Sequence, residues 1–282
     1  MKDVTDDFLK LYLLLHMPGI GNRKAEKIMA EIGSHLSMSE FQSWMLTACS
    51  GTDHDMLNRL NIEAIQARAD SARVFCALDA DYPESLLDLR NEKPLLLYTK
   101  GNTELLHRAG LSVAGTRHPS MEGRMQLEES LKKILEEDVC IISGLASGCD
   151  EMAHRLAIRY KRPTIAVLPS GFRYIAPAVN RRLAEEILES GGLLVSEYEP
   201  CRRATKAAFI QRDRLIAALG NCLLVGEHDS DSGTEHTIKY ACKMNRRVLE
   251  VSADTRDITL NITAGVNRYR QMTIMDYWDE IN

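Results

Sequence analysis

The sequence predicts an α/β protein, with a doubly wound, mostly parallel sheet behind a small helical domain. Three observations carry that expectation. Apolar, strand-like runs recur at 111–115, 139–142, 164–168, 193–196, 222–226 and 247–251. Helical spacing fills the gaps, as with Leu127, Leu131, Ile134 and Leu135, then Leu183, Ile187 and Leu188, then Ile238, Ala241 and Cys242. Continuous apolar strands alternating with amphipathic helices imply a parallel sheet covered on both faces. Residues 1–73, by contrast, read as helical, which sets the expected division at 1–73 and 74–282.

The N-terminal domain reads as follows. Thr5 is placed to cap a helix with Asp6 and Asp7 in its first turn and Phe8, Leu9, Leu11, Leu13, Leu14 and Leu15 behind them. Pro18-Gly19-Ile20-Gly21-Asn22 stops it, and Arg23 to Ile32 starts another with Ala25, Ile28, Met29 and Ile32 on one face. The pair resembles a helix-hairpin-helix (SAM-like) unit. Such a turn can hold a nucleic-acid phosphate beside Arg23 and Lys24, or serve only as a packing unit, which is the stronger reading here. Trp44 and Leu46 are expected in the same core, Ser50 to Asp53 in a loop, and 56–69 in a further helix. Val74 to Leu78 and Leu95 to Tyr98 are short strand candidates around the turn Asp81-Tyr82-Pro83-Glu84.

In open α/β sheets ligands sit beyond the carboxyl ends of the strands, so the residues after each strand matter most. The run from Val139 to Ile142 breaks into Ser143-Gly144-Leu145-Ala146-Ser147-Gly148, and Asp150 stands where an N-cap belongs. Strand, glycine turn and helix start together make an anion site, although neither named nucleotide fingerprint fits the spacing. Gly115-Thr116-Arg117-His118-Pro119, Pro169-Ser170-Gly171-Phe172-Arg173 and Asp231-Ser232-Gly233-Thr234-Glu235 follow other strands, and Ser196-Glu197-Tyr198-Glu199-Pro200 follows the fourth. Glycine with a hydroxyl or arginine in four of five turns suggests a phosphate-lined crevice. Between 200 and 214 lie Arg202, Arg203, Lys206, Arg212 and Arg214 against Asp213 alone, a local excess that opposes the net charge of −5.

Composition sets the outer limits. Hydrophobic content of 45% with 27% charged residues fits an ordinary globular chain of 282 residues. Seven cysteines with no C-x-x-C pair argue against a disulfide framework and a zinc site, and point to a reducing compartment. The N-terminus lacks a signal-peptide pattern, and no apolar run reaches the ~20 residues of a membrane helix, so a cytoplasmic location away from membranes is expected.

These motifs carry a family likeness. Ser143-Gly144-Leu145-Ala146-Ser147-Gly148-Cys149-Asp150 with Ala153-His154 resembles the SGLA-x-G-I-D…AH signature of the bacterial DNA-processing protein A (DprA/Smf) family. Ile165 to Leu168 with Ser170-Gly171, Asn180 with Leu183, and Ser196-Glu197-Tyr198 continue the match in order. Phe209 to Ala217 is similar to the family's F-P-x-R-N-R-I-I-A, and Ser232-Gly233-Thr234 stands at its S-G-S. Asp81-Tyr82-Pro83, Pro94 to Tyr98 with Gly101-Asn102, and Gly115-Thr116-Arg117 also fit. The resemblance implies a Rossmann-like domain that binds single-stranded DNA, protects it, helps load a RecA-type recombinase in natural transformation, forms a homodimer and is no enzyme. By position it implies that Arg117, Ser143, Gly144, Gly148, Arg212 and Arg214 line the DNA-phosphate pocket, with no cofactor and no metal. Phosphate contacts of that kind fix a strand without reading its bases.

Ile210 replaces the family's proline, Asp213 its asparagine, Ala176-Pro177 its Y-P, and Glu235-His236 its usual apolar pair. The tail after 255 is too short for the frequent winged helix, and its end, Met275-Asp276-Tyr277-Trp278, is expected to pack as one helix. The competing reading is a nucleotide sensor or a phosphoribohydrolase-like enzyme with P-G-G-x-G-T-x-x-E. Here Thr237 occupies the position of the required glutamate, leaving Glu197 and Glu227 as crevice acids. His154, His228 and His236 lack metal-ligand spacing, and His154 is expected to be a hydrogen-bonded helix residue.

Overall fold

The computed structural model describes residues 6–33, 35–230 and 232–251. Thr5, Asp231 and the expected helix ending at Trp278 lie outside the described residues.

Four helices come first. α1 (Asp6–Leu15) opens on two acids, which suit the positive end of its dipole, and buries Phe8, Leu11, Leu13 and Leu14. After the Pro18–Gly21 turn, α2 (Asn22–Ile28) runs on as a π-helical turn at Met29–Gly33. In α3 (Met38–Ala48) Ser37 and Glu40 form a capping box, and Phe41 and Met45 are buried. Asp53 caps α4 (His54–Ala69), which buries Leu57, Leu60, Ala64 and Ala67. Trp44 and Leu46 pack against this cluster, as their sequence setting predicts.

Eight strands form one sheet: β1 (Arg73–Cys76), β2 (Leu96–Gly101), β3 (Gly110–Ala114), β4 (Cys140–Ser143), β5 (Thr164–Val167), β6 (Leu193–Ser196), β7 (Cys222–Val225) and β8 (Arg247–Glu250). Their order is β1-β2-β6-β5-β4-β3-β7-β8. β2 runs antiparallel to β1 and β6, and every other pairing is parallel. The α/β reading therefore holds, and the six central and far strands match the six apolar runs. The connecting helices are α5 (Glu84–Leu87), α6 (Met121–Ile134), α7 (Cys149–Arg159), α8 (Arg181–Glu189), α9 (Lys206–Leu219) and α10 (Gly233–Lys243).

The winding positions the site. The chain steps outward from β3 through β4 and β5 to β6, then α9 carries it back across the sheet to β7 beside β3. Right-handed crossovers put the helices of the outward walk on one face and those of the return on the other. Accordingly α6, α7 and α8 pack together on one side, and α9 with α10 on the other. A crevice opens where the order reverses, beyond the carboxyl ends of the strands.

The helical segment shares its core with the sheet. Its apolar cluster runs from Leu11 and Phe41 into Tyr98, Ala166, Leu168 and Leu194, and onto Leu183 and Ile187 of α8. Polar clasps surround that contact: Lys93 to Glu26 at 2.6 Å, Arg173 to Asp70 at 2.6 Å, and His16 to Glu199 at 2.8 Å. Asn22, at the hairpin turn, donates to the Lys93 carbonyl, so this hairpin packs against the sheet domain. Among the described residues no helix is long and apolar enough to cross a membrane.

Candidate functional site

The turn between β4 and α7 is closed on itself. Ser143 is fully buried and donates to the Val113 carbonyl at 2.7 Å. Gly148 adopts φ +79 and lies so close to the Thr116 and Arg117 carbonyls that no side chain fits there. Its backbone breaks the chain and starts α7 earlier than expected, so Asp150 is not the N-cap. Asp150 sits in the first turn and reaches back instead, accepting from the N–H groups of Gly144 at 3.1 Å and Ala146 at 3.2 Å. A carboxylate of the chain thus occupies N–H groups that the turn would otherwise offer to an anion. Burial pushes its pKa up, while Arg212 and those N–H groups hold it back. His154 is a helix residue as expected, with Nδ1 at 2.7 Å from the Thr164 hydroxyl. That hydroxyl donates to Ile141, so the imidazole is the donor, and burial followed by the charge of Arg212 lowers its pKa to about 3. The ring stays neutral.

The crevice beside it measures about 540 Å³. Four chain segments frame it: the loop after β3 with Gly115, Thr116 and Arg117, Ala146 and Asp150 of the turn between β4 and α7, the first turns of α9, and the start of α10 with Ser232, Gly233 and Thr234. Arg117 is exposed, with its guanidinium 5.4 Å over the Phe209 ring. Lys206 stands one turn before Phe209 on the same helix, also exposed. Packed beside α9, α10 presents to the same crevice its first N–H groups, which have no partner inside the helix, and the Ser232 hydroxyl is buried with no partner among the described residues. Two cations, an aromatic face and a helix N-terminus converge on one opening.

Of the residues expected to line a phosphate site, the crevice brings together Gly115, Thr116, Arg117, Arg212, Ser232, Gly233 and Thr234. Ser143, Gly144, Ser147, Gly148, Ser170, Gly171 and Arg214 do not line it. The reason for Arg212 and Arg214 is helical geometry. Two residues apart on α9, they leave on different faces. Arg212 is 5% exposed and donates from Nη1 to the carbonyls of Gly144 at 2.5 Å and Val167 at 3.0 Å. A Cβ at Gly144 would meet the Arg212 guanidinium, so a side chain there would have to displace it. Arg214 faces away, donating to the carbonyls of Glu92 and Gln211 and pairing with Glu197 at 2.5 Å.

The acids are equally committed. Glu227 accepts from the backbone and hydroxyl of Ser120, both at 2.7 Å, and so staples the β3 loop to the end of β7. Glu235 turns toward His228 and Lys239, and buried Thr237 lines the crevice at the position of the missing glutamate. Asp213 lies in the crevice wall with Oδ1 3.1 Å from Arg212 Nε. Burial pushes its pKa up to about 7 against the opposing pull of Arg212, with help from the nearby Asp150.

Sequence reasoning left Lys206, Phe209 and Asp213 out of the site. The usable signal was the i, i+3 spacing of Lys206 and Phe209 behind a Thr205 cap, which puts a cation and a ring on one face.

Comparison with known proteins bears on the same region. The profile of DNA recombination-mediator protein A matches residues 73–272. Protein Smf of Synechocystis sp. is 35% identical over 179 residues, 61% of this chain and 44% of its own length. The DNA processing protein DprA of Streptococcus pneumoniae is 34% identical over 183 residues, 65% of this chain and 64% of its own. The chain therefore matches less than two thirds of the length of these relatives. Among solved structures, DNA processing protein A from Streptococcus pneumoniae superposes with a TM-score of 0.71 at 27% identity, covering 88% of this chain and 87% of that one. DNA processing protein A from Helicobacter pylori, described by its single-stranded DNA binding mode, superposes at 0.57 with 26% identity, covering 64% and 81%.

Proposed function

The chain belongs to the DNA recombination-mediator protein A family, and from that premise we propose that its crevice binds single-stranded DNA through the phosphates. The observation that carries this reading is the pairing of exposed Arg117 on the Phe209 ring, with Lys206 and the α10 N-terminus lining the same crevice. The guanidinium and ammonium bind phosphate, the helix N–H groups favour negative charge, and the ring offers a face on which any base can stack. None of these contacts reads a base edge, so binding is sequence-tolerant. The Helicobacter pylori relative, named for binding single-stranded DNA, supports the same ligand class. Delivery of the strand to a RecA-type recombinase, action as a homodimer, a cytoplasmic location and the lack of a catalytic step belong to the same proposal and rest on family membership.

A crevice of about 540 Å³ also suits a mononucleotide, which keeps nucleotide sensing as the second reading. Equilibrium binding of the whole chain to labelled oligo(dT) and to mixed-sequence oligonucleotides separates the two. DNA binding predicts similar affinities for both, a fall with log salt of about 0.7 per phosphate contact, and poor competition by dTMP. Salt-independent affinity, or dTMP competing as well as the oligonucleotide does, would replace the DNA reading with the nucleotide one.

A further inference from the structure

We propose that the segment from Tyr198 to Lys206 is a second track for single-stranded DNA, extending the footprint from the crevice toward the helical segment. The proposal rests on the single-stranded DNA reading of the crevice.

The segment is a braced loop whose cations are free and whose acids are already paired. Arg202 lies 4.8 Å over the Tyr198 ring and Arg203 4.1 Å over the Tyr174 ring. Both arginines are exposed and enter none of the ion pairs among the described residues. The two neighbouring carboxylates are both occupied: Glu197 holds Arg214, and Glu199 holds His16 at 2.8 Å. Among the described residues, positive charge on this surface therefore faces outward without a local ion-pair partner.

The loop is also held in shape. Gly171 N–H donates to the Arg202 carbonyl at 2.8 Å and Arg173 N–H to Pro200 at 2.9 Å. Gly171 lies so close to Glu199 and Pro200 that a Cβ has no room. Ser170 donates to the Tyr174 carbonyl at 2.7 Å, and the Tyr198 hydroxyl donates to Gln211 of α9 at 2.8 Å. The Ser170-Gly171 turn, placed in the phosphate site by its sequence, instead fixes the two rings and the loop that carry the arginines. Little ordering remains to be done when a strand arrives, which favours binding.

A planar guanidinium over a tyrosine offers two donors to a phosphate. Of the two rings only Tyr174 is exposed enough to offer a stacking face, since Tyr198 is buried and serves to hold Arg202. From Arg202 to Lys206 the chain spans at most about 14 Å, so a strand leaving the crevice at Lys206 meets the arginines within a few nucleotides. A mononucleotide in the crevice would touch neither.

The test compares an oligo(dT) of about four nucleotides with one of about sixteen, on the intact chain and on R202A/R203A. The expected result is unchanged affinity for the short strand, about tenfold weaker binding of the long one, and a salt slope on the long strand lower by about 1.4. A folded double variant that keeps wild-type affinity and slope on the long strand overturns the proposal. Equal losses on both strands also overturn it, by assigning the arginines to the crevice. Failure of the unmutated chain to bind either strand removes the crevice reading and this one together. Should R202A/R203A fail to fold, Arg203→Gln, which gives up only the plate over Tyr174, carries the same comparison with about half the slope change.

Discussion

The basic segment from 200 to 214 divides at the start of α9 into two regions of similar composition and opposite fate. Before the helix and at its first residue, Arg202, Arg203 and Lys206 stay exposed. Within it, Arg212 and Arg214 fall to 5% and 6% exposure and spend their donors on backbone carbonyls and carboxylates. Helix geometry decides this. Once α9 packs on the sheet, positions 212 and 214 must point into protein, and a buried guanidinium needs partners. Charge counted along a sequence therefore measures a binding surface only after internal pairing is subtracted. On the proposed reading, the loop half recognises and the helix half supports.

The sharpest way to break that division is Arg212→Ala. It orphans the Gly144 and Val167 carbonyls and leaves Asp213 and Asp150 without their cation, so unfolding free energy should drop by about 3–5 kcal/mol in urea titrations. A midpoint equal to wild type would return Arg212 to the ligand-binding half. Arg214→Ala should cost less, about 1–3 kcal/mol, because its partner Glu197 keeps some contact with water. If that variant instead loses DNA affinity at full stability, the assignment to a supporting role is wrong.

Asp213 gives a smaller effect that depends on pH. Its pKa rises on folding to about 7, so the folded state takes up a proton that the unfolded state has released. Stability should therefore fall as pH rises from about 4 toward 7 and level off above that, and Asp213→Asn should flatten the decline. The neutral acid also repels phosphate less, so DNA affinity should weaken as pH rises through 7, by at most about tenfold per unit for one proton. An equal weakening in Asp213→Asn would trace the effect to another group. The smallest effect concerns the helical segment. Limited proteolysis should nick the exposed Gly51 region between α3 and α4 before any site within 111–251, and early cleavage inside the sheet would count against an accessible loop there.

Strand positions were legible because parallel strands buried on both faces are mostly apolar, as Leu111, Ile141, Ile165 and Leu223 show. The crevice was half legible for a related reason. Arg117 and Ser232-Gly233-Thr234 follow strands at the reversal of the winding, where ligands collect. What the sequence hid was competition inside the protein. Nothing in Ser143 to Asp150 says that Asp150 will take the N–H groups of its own turn, because that depends on where Gly148 starts the helix. Likewise Ser170-Gly171 reads as a phosphate turn until the 198–206 loop is seen resting on it. The hairpin at Gly19 to Gly21 needs the same context, since Asn22 faces Lys93.

On the proposed reading, exposed cations at the crevice mouth hold the strand while buried arginines hold the fold. Arg117→Ala tests it most directly, measured as oligo(dT) affinity across a salt series alongside the thermal midpoint. The expected result is an affinity loss of about 1–3 kcal/mol, a salt slope lower by about 0.7, and stability within about 0.5 kcal/mol of wild type. A stable Arg117→Ala protein with wild-type affinity and slope would contradict it.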